Sequence, residues 1–392
     1  MSVTFLLQPW DSWFFRDSRP FDAADPGQMP VPSLFPPMPQ TAIGAVRAAI
    51  ARALGWDGRS DWKREAKIVD AVGTGDKLGK LAGSEVTLVR LVDKAIEPLF
   101  AAPHPLLGET ASGERLWKGS APANEESLGP TLARLAPGAT ARRTDLGPMR
   151  LPELDRKHRD FKPLAGKYWL TVAGIERFLR GEAPEVTRNS IVALKDVTAS
   201  EARTGIARDS AAGSAATGML YRVSYVRPQG GFAIAVTTPA VPAAVKTGLP
   251  KSIPFGGEGR MAWIEMRDPP RSKVSAPRNL ARDAARGRLR YTVTLASPAE
   301  LEAPWPQAGQ NLAGLPGEIC TACVDRGTSV SGWTGGGGEV GPRVSRATLP
   351  AGATWFLEAP AADGQKVLAA HGTAIGACRE WGMGRVLIGT WS

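Results

Sequence analysis

The chain has 392 residues and an apolar share of 43%, enough for two or three domains with real cores. Its 44 glycines and 33 prolines make up about a fifth of the residues, against a usual share of roughly 12%, which excludes a helical bundle and points to a loop-rich, β-containing scaffold. A net charge of +10 and a pI near 9.7 suit a polyanionic partner, and three cysteines exclude a disulfide framework.

In chain order, residues Val3 to Leu7 form an apolar run that predicts a first strand within a sheet. A loop from Trp10 to Phe21 then mixes aromatic rings with charges. Six prolines between Pro26 and Pro39 force an extended or turning path. A helix follows, with Thr41 as its expected cap. Ile43, Val46, Ile50 and Leu54 lie in one stripe at helical spacing, and Gly55 ends it. Arg47 lies at the edge of that stripe. Arg52 points the opposite way, as an ordinary solvent charge. Residues 85–91 and 95–101 read as two strands of a hairpin. From Gly108 to about Gly166 there is little periodicity, which predicts an insertion ordered mainly by partners. A second helix is capped by Thr171, buries Ile175, Phe178 and Leu179, and stops at Gly181.

The second half reads as strands. Residues 203–209, 220–227 and 231–237 suggest a meander, followed by strands at 261–266, 288–295, 354–357 and 385–391. Repetition of a strand-helix-strand-strand-helix-strand order in each half predicts an α+β fold of two ferredoxin-like (RRM-like) domains with long Gly/Pro-rich insertions. The expected division is residues 1–185, with an inserted segment at about 104–166, and residues 186–392. The N-terminus has no charged segment followed by an apolar run, and no stretch approaches 18 apolar residues, so a cytoplasmic chain with no membrane partner is expected.

Three loops carry the chemistry of interest. Glycine-rich turns leave backbone N–H groups open to a phosphate, and a following arginine adds a bidentate donor. Gly256, Gly257, Gly259 and Arg260 have this form, as do Gly382, Gly384 and Arg385; a third Gly-rich loop runs from Gly335 to Gly338. Arg16, Arg19 and Phe21 alternate guanidinium groups with a ring, a pattern suited to single-stranded RNA with splayed bases. The plainer alternatives are tight strand connections for the glycines and a packed loop in which Asp17 pairs with an arginine. Tyr221 and Tyr225 share a strand face and fit a core better than a stacking platform.

Several of these segments together resemble a known family. Phe15 to Phe21 (FRDSRPF), Phe35 to Pro39 (FPPMP), Ile43 to Arg47 (IGAVR), Tyr168 to Thr171 (YWLT) and Leu179 to Gly181 (LRG) come first. Arg203 to Asp209 (RTGIARD), Gly218 to Tyr221, Pro254 to Arg260 (PFGGEGR), Ser331 to Trp333 and Trp381 to Arg385 (WGMGR) complete the set in order. The pattern is similar to the third subunit of type III-B CRISPR (Cmr) effector complexes, a RAMP-superfamily protein. It departs between about 108 and 165 and between 300 and 345. The resemblance implies a non-catalytic antiviral subunit that holds the 5′ handle of a CRISPR RNA, docks on the large polymerase/cyclase-like subunit and on the backbone RAMP subunit, and meets target RNA only indirectly. The candidate RNA contacts are Arg16, Arg19, Phe21, Arg47, Gly256, Gly257, Gly259, Arg260, Gly382, Gly384 and Arg385.

Two other chemistries have sequence support to weigh. A metal-independent RNase of the same superfamily needs a general base, and the three histidines (His104, His158, His371) sit in no catalytic motif. Cys320 and Cys323 form a single C-x-x-C, to which His371 and Cys378 would have to add zinc ligands at an unusual spacing, so buried thiols without metal or other cofactor are expected. A basic assembly protein without RNA contact is the remaining alternative.

Overall fold

The computed structural model describes residues 2–18, 31–93, 95–108, 132–144, 147–154, 161–184, 187, 189–208, 212, 215–303, 308–334 and 341–392. Strand β1 (Val3–Pro9) buries Phe5, Leu6 and Leu7 in succession, so both of its faces are covered. Helix α1 (Pro39–Ala53) starts two residues before the expected cap. Met38 is the N-cap, and Pro39 follows it where a missing N–H costs nothing. Ile43, Val46 and Ile50 are buried as their spacing requires, and Gly55 leaves the helix with φ 104°. A second helix, α2 (Ala66–Val72), escaped the sequence reading. The expected strands β2 (Glu85–Val92) and β3 (Ala95–Ala101) follow.

The segment read as unpatterned contains regular structure. Strands β4 (Leu106–Gly108), β5 (Leu132–Arg134) and β8 (Lys162–Pro163) form a three-stranded sheet, and β6 (Ala136–Thr144) pairs with β7 (Gly147–Glu153) as a hairpin. Most of β6 is exposed on both faces, so no apolar alternation marks it. After β9 (Tyr168–Leu170) comes α3 (Val172–Leu179), as expected: the Thr171 hydroxyl accepts the Gly174 N–H at 3.3 Å, Ile175, Phe178 and Leu179 are buried, and Gly181 has φ 94°.

Strand β10 (Ile191–Ala193) and the single turn α4 (Leu194–Val197) lead to β11 (Thr198–Arg208), β12 (Ala215–Pro228) and β13 (Phe232–Thr238). These three are not one meander. β11 and β12 form a separate two-stranded sheet, while β13 pairs with β1 and β2. The one-turn α5 (Val245–Gly248), β14 (Ser252–Pro254), β15 (Met261–Arg267), β16 (Ala281–Asp283), β17 (Arg288–Leu295) and β18 (Glu318–Cys323) follow. The short strands β19 (Thr328–Val330), β20 (Trp333–Thr334), β21 (Gly341–Pro342) and β22 (Arg346–Thr348) precede β23 (Thr354–Pro360), α6 (Gly364–Ala369) and β24 (Val386–Thr390). Gly335 to Gly338, Arg19, Phe21 and His158 lie outside the described residues.

The contacts divide the chain into two compact units, each discontinuous in sequence, rather than at residues 185/186. One comprises Met1–Leu91, Asp196–Pro269 and Ser329–Arg346; the other comprises Val92–Lys195, Pro270–Thr328 and Ala347–Ser392. In the first, five antiparallel strands run in the order β2-β13-β1-β15-β14, and α1 packs on β13 and β14. β1 is central because its partners come from far along the chain: Phe5 faces Val236 on one side and Met266 on the other. In the second unit, β16 and β24 both pair with β17, which pairs with β23, which pairs with β18, all antiparallel. Tyr291, Val293, Ile319, Trp355, Leu357, Val367 and Ile388 form the core of that sheet. The whole is an α+β protein with antiparallel sheets and few helices. No helix of the described residues is long and apolar enough to cross a membrane.

Candidate nucleic-acid interface

The loop after β1 is built around buried rings. Trp13 joins β12 by paired backbone hydrogen bonds with Val226 and donates its indole N–H to the Met261 carbonyl at 3.2 Å. Trp13 and Phe15 both pack against Phe255, with centroids at 4.9 and 5.0 Å, and Phe14 packs on Tyr225. Arg16 emerges exposed from this packing, while Asp17 beside it is buried. Ser18 ties the loop down, its N–H to the Ser329 carbonyl and its hydroxyl to Ser345. The aromatic half of the loop is therefore core, and Arg16 is the part that reaches solvent.

The glycines of the 255–260 turn have distinct roles. At Gly256 (φ 93°) a Cβ would lie 2.8 Å from the Phe14 carbonyl, and the Gly257 N–H donates to that same oxygen at 2.8 Å. These two glycines let the turn press against the loop after β1. Gly259 (φ 64°) faces open space. Arg260, which follows, stacks its guanidinium 4.3 Å from the Tyr225 ring centre and reaches Asp11 at 3.5 Å.

Around that stack is a charged network that the sequence reading missed. Arg203 donates to Asp11 at 2.8 Å and to Glu201 at 2.7 Å, and lies 5.1 Å from the Tyr225 ring. Arg227 donates to Glu201 at 2.6 Å and pairs with Asp11. Hydrogen bonds, from Arg203 first at Asp11 and from Arg227 first at Glu201, hold both carboxyls below their usual range. The hydrogen bond to Asp11 comes first in raising Arg203, and that to Glu201 in raising Arg227. Three guanidinium groups thus meet two carboxylates, leaving a net positive charge on a preorganised, partly exposed surface. Such groups can offer charge-assisted hydrogen bonds to phosphate. One signal was available: Glu201, Arg203, Tyr225 and Arg227 alternate on paired strands, with Glu201 opposite Tyr225. The side chain of Tyr221 lies outside the described residues; that of Tyr225 is buried under the arginines rather than offered to a base.

Arg47 is corrected by its surroundings. It is buried, and its Nε, Nη1 and Nη2 donate to the carbonyls of Val72, Gly75 and Lys77 at 2.7, 2.8 and 3.1 Å. Burial pushes its pKa down, with Asp76 acting in the other direction. A guanidinium spent on three carbonyls holds a loop, with its donors turned inward. The glycines near Arg385 are likewise used internally. A Cβ at Gly384 (φ 71°) would lie 1.9 Å from the Ile375 carbonyl, so the protein's own backbone occupies the side where a phosphate would approach. Gly382 (φ 72°) closes a single helical turn. Arg385 is half-buried, its backbone N–H is held by Ser297, and desolvation lowers its pKa. These residues belong to the second unit, and Arg16 and Arg260 to the first.

Of the described histidines, His104 is half-buried and desolvation pushes its pKa down. His371 accepts the Ile388 N–H on Nδ1 at 3.1 Å, so its Nε2 carries the proton that bonds the Val274 carbonyl. Both of its ring nitrogens are occupied by backbone. Burial pushes the thiols of Cys320 and Cys323 up to about 11 and about 12, far from a thiolate ready for metal. No group of three or more potential metal ligands converges among the described residues.

No curated protein matches this sequence. Its fold is similar to chains in cryo-EM structures of the Type III-B Cmr-beta complex, one bound to cognate target RNA and AMPPnP (state 1) and one bound to cognate target RNA. Each is 13% identical with a TM-score of 0.45, covering 90% of this chain and 86% of the other. A family model described as CRISPR-associated protein (Cas_Cmr3) matches residues 5–391. The chain belongs to the Cas_Cmr3 family of CRISPR-associated proteins.

Proposed function

We propose that this chain is a non-catalytic RNA-binding subunit of a type III-B Cmr effector complex. It holds the 5′ handle of the CRISPR RNA and docks on the large polymerase/cyclase-like subunit and on the backbone RAMP subunit. The observation that carries this reading is the family match over residues 5–391. The geometry supports a contact surface made of Arg260 and the adjoining Arg203 and Arg227, to which the exposed Arg16 is added; Arg19 and Phe21 are proposed contacts that lie outside the described residues.

Each unit is proposed to be built on a ferredoxin-like core. In support, the first unit's β15-β1-β13-β2 and the second unit's β24-β17-β23-β18 share the antiparallel order 4-1-3-2 when each set is counted along the chain. The second set departs in lacking a helix among the described residues between β17 and β18.

The test is equilibrium binding of a 5′-handle RNA to the assembled complex, in EDTA, across a salt series. Arg16→Ala and Arg260→Ala should each weaken binding by roughly 1–2 kcal/mol and flatten the log K versus log salt slope by about 0.7 per lost contact. Lys366→Ala, an exposed change on α6, should alter neither. Metal-free cleavage of repeat RNA would instead mark the endoribonuclease reading.

A further inference from the structure

The strip from Arg52 to Lys67 joins the end of α1 to the start of α2, and the handle reading uses none of it. Two half-exposed tryptophans sit there edge to face, Trp56 and Trp62, with ring centroids 4.7 Å apart. Each indole is pinned through its N–H, Trp56 to the Ser60 carbonyl at 2.7 Å and Trp62 to the Gly73 carbonyl at 3.0 Å. Trp62 also lies over the buried Arg47 guanidinium at 5.4 Å. The rings are therefore held in place before any ligand arrives, and ordering them on binding costs little entropy.

Cations surround these rings. Arg52, Arg59, Lys63, Arg64 and Lys67 are all exposed. The Arg52 guanidinium lies 5.7 Å from the Trp56 ring centre and against the backbone of Gly58, and the Lys67 ammonium sits beside Gly55. The strip's acids are partly committed to its own turns. Asp57 accepts the N–H groups of Arg59 and Ser60 and the Ser60 hydroxyl, and the Arg59 N–H first of all holds its carboxyl below the usual range. Asp61 accepts the Lys63 N–H and pairs with the Lys63 ammonium at 3.4 Å. Arg52, Arg59, Arg64 and Lys67 form no ion pair with any described residue. A surface with fixed rings, surplus exposed cations and little other apolar area is unlike a protein-docking core, which is depleted in lysine. It matches the combination of stacking platform and phosphate-tracking charge used on unpaired strands.

We propose that this strip is a second surface for single-stranded RNA. An unpaired base stacks on Trp56, and the backbone phosphates lie against Arg59, Arg64 and Lys67. The proposal does not depend on the handle site. Its test uses the full-length chain and a fluorescein-labelled oligouridylate of roughly 15 nucleotides, a length suited to one such groove and carrying no handle sequence. The triple variant Arg59→Glu, Arg64→Glu, Lys67→Glu, all at exposed positions, should bind at least tenfold more weakly, with a salt slope reduced by about 2, at roughly 0.7 per contact. Trp56→Leu should bind about tenfold more weakly with the slope unchanged, the scale of one lost base stack. The triple variant should keep wild-type affinity for the 5′-handle RNA in the assembled complex, which separates failure of this surface from failure of the handle site. Wild-type oligouridylate affinity in the triple variant would overturn the proposal. So would wild-type affinity in Trp56→Leu, or equal affinity for a duplex of the same length, since either would reduce the strip to undirected charge.

Discussion

Arg47 shows how a charge can be structural when its donors have nowhere else to go. The turn after α2 aims three carbonyls at one point, and the guanidinium satisfies all of them while carrying Trp62 on its face. Replacing it by Met keeps the stem and strands the carbonyls, that of Val72 buried and those of Gly75 and Lys77 partly so, at a desolvation cost. Arg47→Met should lower stability by about 3 kcal/mol in urea unfolding, with handle affinity per folded molecule unchanged. A loss of affinity at full stability would return Arg47 to the RNA site. The thiols give a second residue-scale prediction. Cys323 keeps its proton up to about 12 when folded, while an unfolded thiol titrates near 8.5. A folded pKa raised above the unfolded one stabilises fully below about pH 8.5, and that contribution is lost as pH rises toward 12. Thermal unfolding from pH 8 to 11 should show Cys323→Ala, whatever its offset, losing less stability with pH than wild type. A thiol-reactive dye at pH 8 should label Cys378 fast and the other two slowly.

Two glycines with similar φ separate the uses of that residue at the scale of the element. Gly384 needs both its left-handed backbone and its missing Cβ, because the Ile375 carbonyl fills the space; Gly259 needs only the backbone. Gly384→Ala should cost well over 3 kcal/mol or prevent the second unit from folding, and Gly259→Ala about 1 kcal/mol. Calorimetry on both variants checks the contrast, and equal losses would contradict it. The elements that could be read from the sequence are those with a local signature. The Thr171 cap and the Ile175, Phe178, Leu179 face fix α3 within ten residues. The start of α1 was misplaced because Thr41 is a good cap by type, while Pro39 is a better first residue by its fixed φ. The hairpin of β6 and β7 carries no pattern because most of β6 faces water on both sides.

For the whole molecule, what the sequence hid is long-range. The strands β13 and β15 that flank β1 begin more than two hundred residues after it, so an even cut of the chain could not follow the units. The candidate site was legible only at its tips, Arg16 and Arg260. Its centre, where Asp11 and Glu201 hold Arg203 and Arg227, exists only once β11, β12 and the loop after β1 are brought together. The charge excess of +10 is thus organised, in part, into fixed arginines beside one loop. The claim that this loop set holds the handle of the CRISPR RNA is tested most directly by photocrosslinking. A CRISPR RNA carrying 4-thiouridine in its 5′ handle is bound in the assembled complex, irradiated, and the attached peptides are identified by mass spectrometry. The account predicts crosslinks on this chain within residues 10–21 and 255–260. Efficient crosslinking confined to other subunits would contradict it.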